Sequence, residues 1–141
     1  MQNKNVENYM TKSPVIIHEN ASLEAAWNLL KKSNFKHLPV LNDKDDVTGI
    51  LSSTDIENLS VIFDNSQNDQ KIFLTNLSVK DVMSSKVVTI QKTATIEEAN
   101  DLILAKGIRA LPVVEHNKIL GIISETDILH YYNEKYNQKQ I

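Results

Sequence analysis

Two heptapeptides hold the residues of this chain best suited to chemistry. Gly49-Ile50-Leu51-Ser52-Ser53-Thr54-Asp55 and Gly121-Ile122-Ile123-Ser124-Glu125-Thr126-Asp127 each carry a glycine, an apolar pair, then hydroxyls and a carboxylate. The apolar part reads as the end of a strand, and Ser, Thr and Asp are residues that open helices. A helix start has orphan N–H groups and the positive end of the dipole, so it attracts anions. Ser52, Thr54, Ser124 and Thr126 can donate to phosphate oxygens. Asp55 and Asp127 can each accept two hydrogen bonds from a vicinal diol, as acidic residues do for ribose in dinucleotide-binding folds. Phosphate donors beside a diol acceptor describe a nucleotide site. The same residue types are also ordinary helix caps, and for a single copy capping is the simpler account. The glycine three residues before each serine either leaves room for close approach or marks a bulge or tight packing.

Ahead of each proline lies a second pair of matched segments, Phe35-Lys36-His37-Leu38-Pro39 and Ile108-Arg109-Ala110-Leu111-Pro112. Lys36 and Arg109 are equivalent cations. Near a helix start they would meet phosphate, Arg109 in bidentate fashion, whereas elsewhere they are solvated loop charges. His37 offers a pH-dependent donor, but its twin is Ala110, so two sites built here would differ. His18, His116 and His130 have no second ligand at helical spacing, so no metal site is expected. No nucleophile, base and orienting group form a legible set and no phosphate-binding glycine loop occurs, so no enzyme is expected. Tyr131, Tyr132 and Tyr136 read as an interface patch or as helix packing.

These residues recur because the sequence repeats. At an offset of 73, residues 9–41 and 82–114 share ten identities in 33 positions. After one residue is lost in a turn, 47–56 and 119–128 share six in ten. The copies run over 5–64 and 78–136, joined by a polar connector, 65–77. Each reads β-α-β-β-α. Val15–Ile17 and Val87–Ile90 are β-branched runs expected as strands. Ser22 and Thr95 are the N-caps of the following helices, Thr95 in a capping box with Glu98. Asn34 and Gly107 are expected to end them in the left-handed conformation. Leu38–Leu41 with Val47–Leu51, and Leu111–Val114 with Ile119–Ile123, form hairpins, with each proline early or on an edge strand. The last helices open near Thr54 and Thr126 and turn Ile56, Leu59 and Ile62, or Ile128, Leu129 and Tyr132, inward. The fold class is α+β. A copy of about 60 residues is small for a core of its own, so each gains by packing against its twin.

The composition agrees. The chain has 141 residues, 41% hydrophobic and 23% charged, an ordinary globular balance. A net charge of −3 argues against nucleic acid as partner. The absence of cysteine removes disulfides and thiolate chemistry and fits a reducing, cytoplasmic setting. No apolar run is long enough to cross a bilayer and no secretory signal is visible, so no membrane role is expected.

Tyr9-Met10-Thr11 and Val82-Met83-Ser84, the two Leu-Pro-Val stretches and the two Gly-x-x-Ser-x-Thr-Asp stretches, in this order and spacing, resemble a tandem pair of CBS domains, the modules named after cystathionine β-synthase. The resemblance implies two pseudo-two-fold-related repeats packed sheet to sheet, with a further pairing into a homodimeric disc of four repeats. It implies a regulatory, energy-sensing role in which an adenosyl ligand occupies a cleft between repeats and modulates an unknown protein partner in trans. AMP, ADP or ATP comes first, ahead of S-adenosylmethionine, NAD or a cyclic dinucleotide, and no cofactor is required. On this resemblance Asp55 and Asp127 hold ribose, and Ser52, Thr54, Ser124 and Thr126 serve ribose and phosphate. Lys36, His37, Arg109 and Ala110 flank phosphate or base, and backbone near Ile17 and Val88 lines the base pocket. The site with Asp127 and Arg109 is favoured, since the first copy has Lys36-His37 in place of an arginine. The other reading is a dimerisation or protein-interaction module without ligand.

Overall fold

The structure, a computed structural model, describes residues 4–60 and 74–139. Ile62 and most of the expected connector lie outside them. The strands are β1 (Thr11–Lys12), β2 (Ile17–His18), β3 (His37–Leu41), β4 (Val47–Ser52), β5 (Ile90–Gln91), β6 (Ala110–Glu115) and β7 (Lys118–Ser124). The helices are α1 (Leu23–Lys32), α2 (Ser53–Ser60), α3 (Ile96–Lys106) and α4 (Glu125–Lys139). The architecture is α+β, with sheets ordered β1-β7-β6-β5 and β2-β3-β4.

The compact units do not follow the sequence copies. One unit is 15–87; the other joins 1–14 to 88–141. The segment that opens each copy therefore packs on the sheet of the other copy. β1 pairs antiparallel with β7, Thr11 opposite Ile122 and Lys12 opposite Gly121, and Ser84 bridges to Ile50 of β4 in the same sense. Both arms are fastened alike. Val6 N–H donates to Ala94 O (2.8 Å) and Val79 N–H to Ala21 O (2.9 Å), and both valines are fully buried. In return the first N–H of α3, Ile96, donates to Lys4 O (2.8 Å), and that of α1, Leu23, donates to Leu77 O (2.8 Å). Each arm thus satisfies a helix donor that has no intrahelical acceptor.

Gly49 and Gly121 sit where the arms cross. A Cβ on Gly121 would lie 2.6 Å from Met10 Sδ and 2.7 Å from Thr11 O. One on Gly49 would collide with Met83 Sδ and reach within 3.0 Å of Ser84 O. These contacts are the tight packing that the sequence offered as one account, and the strand register also shifts beside each glycine, opposite Val40–Leu41 and Val113–Val114.

Each unit has its own core. In 15–87, Leu23, Ala26 and Leu30 of α1 pack with Leu38, Val40, Leu51 and Ile56. In the other unit, Ile96, Ala99 and Ile103 of α3 pack with Leu111, Val113, Ile123, Ile128 and Tyr131. Ser22 caps α1 through its side chain, accepting from Ala25 N–H, and Thr95 and Glu98 form the expected capping box. Gly107 ends α3 at φ +65°. Asn34 does not do the same for α1, whose C-cap is Ser33 in extended backbone. Leu129 faces outward and Tyr131 takes the inner position, since Ile128, Tyr131 and Tyr132 are the set spaced i, i+3, i+4. The prolines stand in inner strands, not edge ones. Ile50 exchanges backbone bonds with Ser84, so the alternation turns Pro39 N away from β4, towards the side where β2 pairs only from Val40 onward. The ladder loses little by the missing donor.

Two measurements follow from this packing. Gly121→Ala is expected to lower unfolding stability by about 1–3 kcal/mol through overpacking, because a backbone oxygen stands in the way. Gly49→Ala costs less, because the methionine end can move; urea denaturation of both checks the order. Burial and the hydrogen bond to Glu97 Oε1 (3.0 Å) push the Tyr131 phenol up to about 12. The neutral phenol is the form the fold favours. Its contribution is therefore whole below pH 10 and is lost as pH rises from there to about 12. Tyr131→Phe is expected to flatten that alkaline loss in melting temperatures taken from pH 9 to 12.

Candidate functional site

Each heptapeptide does span a strand-to-helix junction. Ser52 ends β4 and Ser124 ends β7, and each caps the helix that follows. Ser52 N–H donates to Asp55 Oδ2 (2.9 Å), and Asp55 N–H donates to Ser52 Oγ (3.1 Å). At the second junction Ser124 N–H (2.9 Å) and Ser124 Oγ (3.0 Å) both donate to Asp127 Oδ2, and Asp127 N–H donates weakly back to Ser124 Oγ (3.4 Å). These are reciprocal capping boxes with aspartate in the third helical position. The capping account of the carboxylates therefore holds as local geometry. Among the described residues, the hydrogen bonds to both carboxylates fall on Oδ2.

The segments ahead of the prolines come to the same places. His37 pairs with Ser52 across the β3–β4 ladder, and Ala110 pairs with Ser124 across β6–β7. The first helical N–H groups, Ser53 and Glu125, donate to Lys36 O (2.9 Å) and Arg109 O (3.0 Å). With Asp55 and Asp127 N–H bound to serine, the second N–H, on Thr54 or Thr126, is the one of the first three that these contacts leave. Thr54, Thr126, Lys36 and Arg109 are exposed; Ser52, Asp55, Ser124, Asp127 and His37 are half-buried; Ala110 is buried.

Two named residues were expected to act through their backbone, and their side chains lie in or against the cores. Ile17 pairs with Val40, three residues along β3 from His37, and its side chain lies in the core. Val88 precedes β5 and packs against the core of its unit. Lys36 also lines a cavity of about 310 Å³ with Ser53, Trp27, Leu30, Lys31, Phe35 and Glu57, on the α1 side of the junction. Sequence reasoning missed this cavity, and the signal for it was thin: Trp27 and Phe35 have no aromatic twin in the second copy. Among the described residues no group of three or more His, Asp or Glu is placed to hold a metal. None of their helices is long and apolar enough to cross a membrane.

A family model described as the CBS domain matches residues 6–61 and again 79–134. The chain belongs to the CBS domain family. It is similar in structure to the CBS domain pair of protein MJ0100, solved with methylthioadenosine and S-adenosyl-L-methionine. The TM-score is 0.80 at 24% identity, over 95% of this chain and 99% of that one. It is likewise similar to CBSX2 solved with AMP, with a TM-score of 0.78 at 23% identity over 95% and 99% of the two chains. At these identities the likeness is one of fold. In sequence it is 27% identical over 135 residues to the uncharacterised protein MJ1225 of Methanocaldococcus jannaschii, covering 93% of this chain and 48% of that protein. It is 28% identical over 127 residues to inosine-5'-monophosphate dehydrogenase of the same organism, covering 89% of this chain and 23% of that enzyme. The CBS pair thus spans half or less of these curated relatives.

The two roles open to the junction carboxylates separate by substitution. Asp127→Ala removes the acceptor for Ser124 N–H and is expected to cost about 1 kcal/mol in urea unfolding. Asp127→Asn keeps an oxygen for that N–H and is expected to cost distinctly less. Equal losses would mean that the negative charge at the helix start, not the hydrogen bond, is what stabilises the junction.

Proposed function

We propose that this CBS pair is a regulatory module that senses an adenosyl small molecule, an adenine nucleotide before S-adenosylmethionine, NAD or a cyclic dinucleotide, and modulates a protein partner in trans as a homodimer. The observation that carries this reading is how Asp127 is used. Its cap is made through Oδ2, which leaves Oδ1 to accept from a ribose diol without undoing the helix start. Thr126, exposed beside it, offers a hydroxyl and the N–H that the capping contacts leave. Arg109 stands one residue before Ala110, the strand partner of Ser124. Its guanidinium suits a phosphate in bidentate fashion. The first copy has the same scaffold with Lys36 and His37, so its ligand preference differs, and the second junction is the principal site. That relatives of this fold were solved with AMP and with S-adenosyl-L-methionine supports the ligand class. Ligand acts by binding one arrangement of the protein more tightly than another, and shifts the balance only by that difference.

A second reading has an observation of its own. Both carboxylates already accept from the backbone N–H of the serine that ends the strand, Ser52 or Ser124, as they would in an interaction module that binds no ligand. Thermal shifts with AMP, ADP, ATP and S-adenosylmethionine separate the two. Ligand at 100 times its dissociation constant adds about 2.7 kcal/mol, a shift of several degrees for a protein of this size. Asp127→Asn, which keeps the cap, is expected to abolish the shift, and Arg109→Ala to reduce it most for compounds carrying phosphate. No shift with any of the four leaves the interaction module as the function.

A further inference from the structure

The chain has no cysteine, so its sulfur lies in three methionines, Met1, Met10 and Met83. Met1 falls outside the described residues. The other two occupy one structural position twice. Met10 Sδ would stand 2.6 Å from a Cβ on Gly121, and Met83 Sδ would meet one on Gly49. Each sulfur thus rests over a glycine at the point where an arm crosses an edge strand. Both methionines are half-buried, and each packs against the core of its own unit. A small oxidant can reach such a sulfur while the protein stays folded. Oxidation of a thioether to its sulfoxide turns a flexible apolar side chain into a polar, chiral one.

The crossings have no room for the new oxygen. A backbone carbonyl shares each narrow space: Thr11 O lies 2.7 Å and Ser84 O 3.0 Å from the same Cβ points. A sulfoxide oxygen turned inward meets a carbonyl oxygen, an acceptor like itself. Turned outward to water, it draws the thioether off the glycine. In either case the arm loses its seat. The contacts it then gives up are those that fasten it: Ile50 N–H to Ser84 O (3.2 Å), Val6 N–H to Ala94 O (2.8 Å) and Val79 N–H to Ala21 O (2.9 Å).

We propose that Met10 and Met83 are a paired oxidation site, through which a peroxide releases both arms. The sulfur lone pair attacks one peroxide oxygen, and an S–O bond forms as the O–O bond breaks. The proton of the transferred oxygen passes to the departing one, which leaves as water. Sulfur is oxidised by two electrons and the peroxide is reduced by two. A dithiol reverses the step, becoming a disulfide while the oxygen leaves as water. None of this depends on the ligand or partner proposed above.

Hydrogen peroxide added to the full chain is expected to place one oxygen on each of Met10 and Met83, read by peptide mass, and to lower the melting temperature by about 4 °C or more. Methionine sulfoxide reductases with dithiothreitol should restore it. Amide exchange locates the effect. Ile50, Val6 and Val79 N–H should exchange faster after oxidation, while Leu30 in α1 and Ile103 in α3 hold. Leucine branches at Cγ, which already lies within 3.0 Å of both Cβ points, so Met→Leu variants can disturb the crossing by shape alone. Norleucine incorporated in place of methionine keeps an unbranched chain without sulfur, and that protein should melt at the same temperature with or without peroxide. Full sulfoxide at both residues with an unchanged melting temperature overturns the proposal. So does an equal fall in the norleucine protein, or equal acceleration of exchange in the two helices. If the norleucine protein does not fold, failure of the reductases to restore the wild-type melting temperature overturns it in the same way.

Discussion

The fold depends on the crossing of two arms over two glycines. Met10 and Thr11 lie on Gly121, and Met83 and Ser84 lie on Gly49, so close that a Cβ would displace a side chain or meet a backbone oxygen. This approach allows the arm to add to the edge of β4 or β7, which would otherwise present unpaired N–H and C=O groups. The same arms supply the buried valines Val6 and Val79 and the carbonyls that receive the first N–H of α3 and α1. One steric allowance thus supports edge pairing, core filling and helix initiation. It also makes the units unequal in folding. The unit over 15–87 closes within one continuous stretch, whereas the other must recruit an arm from the far end of the chain. Closing that longer loop costs more chain entropy, so the continuous unit is the natural one to form first.

The junctions follow from the same economy of backbone groups. A strand that ends where a helix begins leaves donors on the helix start, and here they are met in a fixed order. The first goes to the carbonyl of Lys36 or Arg109 and the third to the serine hydroxyl, while the aspartate takes the serine N–H. What this leaves is specific: one threonine N–H, one threonine hydroxyl and the second oxygen of a carboxylate. Capping and ligand binding are therefore not rivals for the same atoms. The cap holds Asp55 and Asp127 in one rotamer, and a group so held can meet a diol without a further loss of side-chain freedom.

Much of this was legible in the residues. The repeat, the β-α-β-β-α order, the caps at Ser22 and Thr95, the end of α3 at Gly107 and the strand-to-helix junctions all rest on local rules: periodicity, capping chemistry and the left-handed tolerance of glycine. What was not legible is what depends on distant partners. Met10 and Gly121 stand out as repeated residues, but nothing in one sequence says that Met10 meets Gly121 rather than the glycine of its own copy. Asn34 had the right residue type for a helix end, yet α1 stops through extended backbone at Ser33, because the chain must turn at once into Phe35 and β3. Leu129 misled for a related reason. Its place next to Ile128 suggested the core, but on α4 the inner stripe passes through Ile128, Tyr131 and Tyr132.

The two copies agree where the scaffold needs them to and differ where something else does. Gly, Ser, Thr and Asp at the junctions, methionine and a hydroxyl in the arms, and Leu-Pro-Val in the inner strands are shared. Apart from the exposed threonines, these residues hold a backbone contact or a core position that both units contain. Differences beside the junctions include Lys36-His37 against Arg109-Ala110, Trp27 and Phe35 against Asn100 and Ile108, and Lys31 and Glu57 against Leu104 and Leu129. The first copy acquires an aromatic-walled cavity with cations about it, and the second acquires exposed leucines at the matching positions. Divergence at these positions gives the two junctions different neighbourhoods while both keep the same capping geometry.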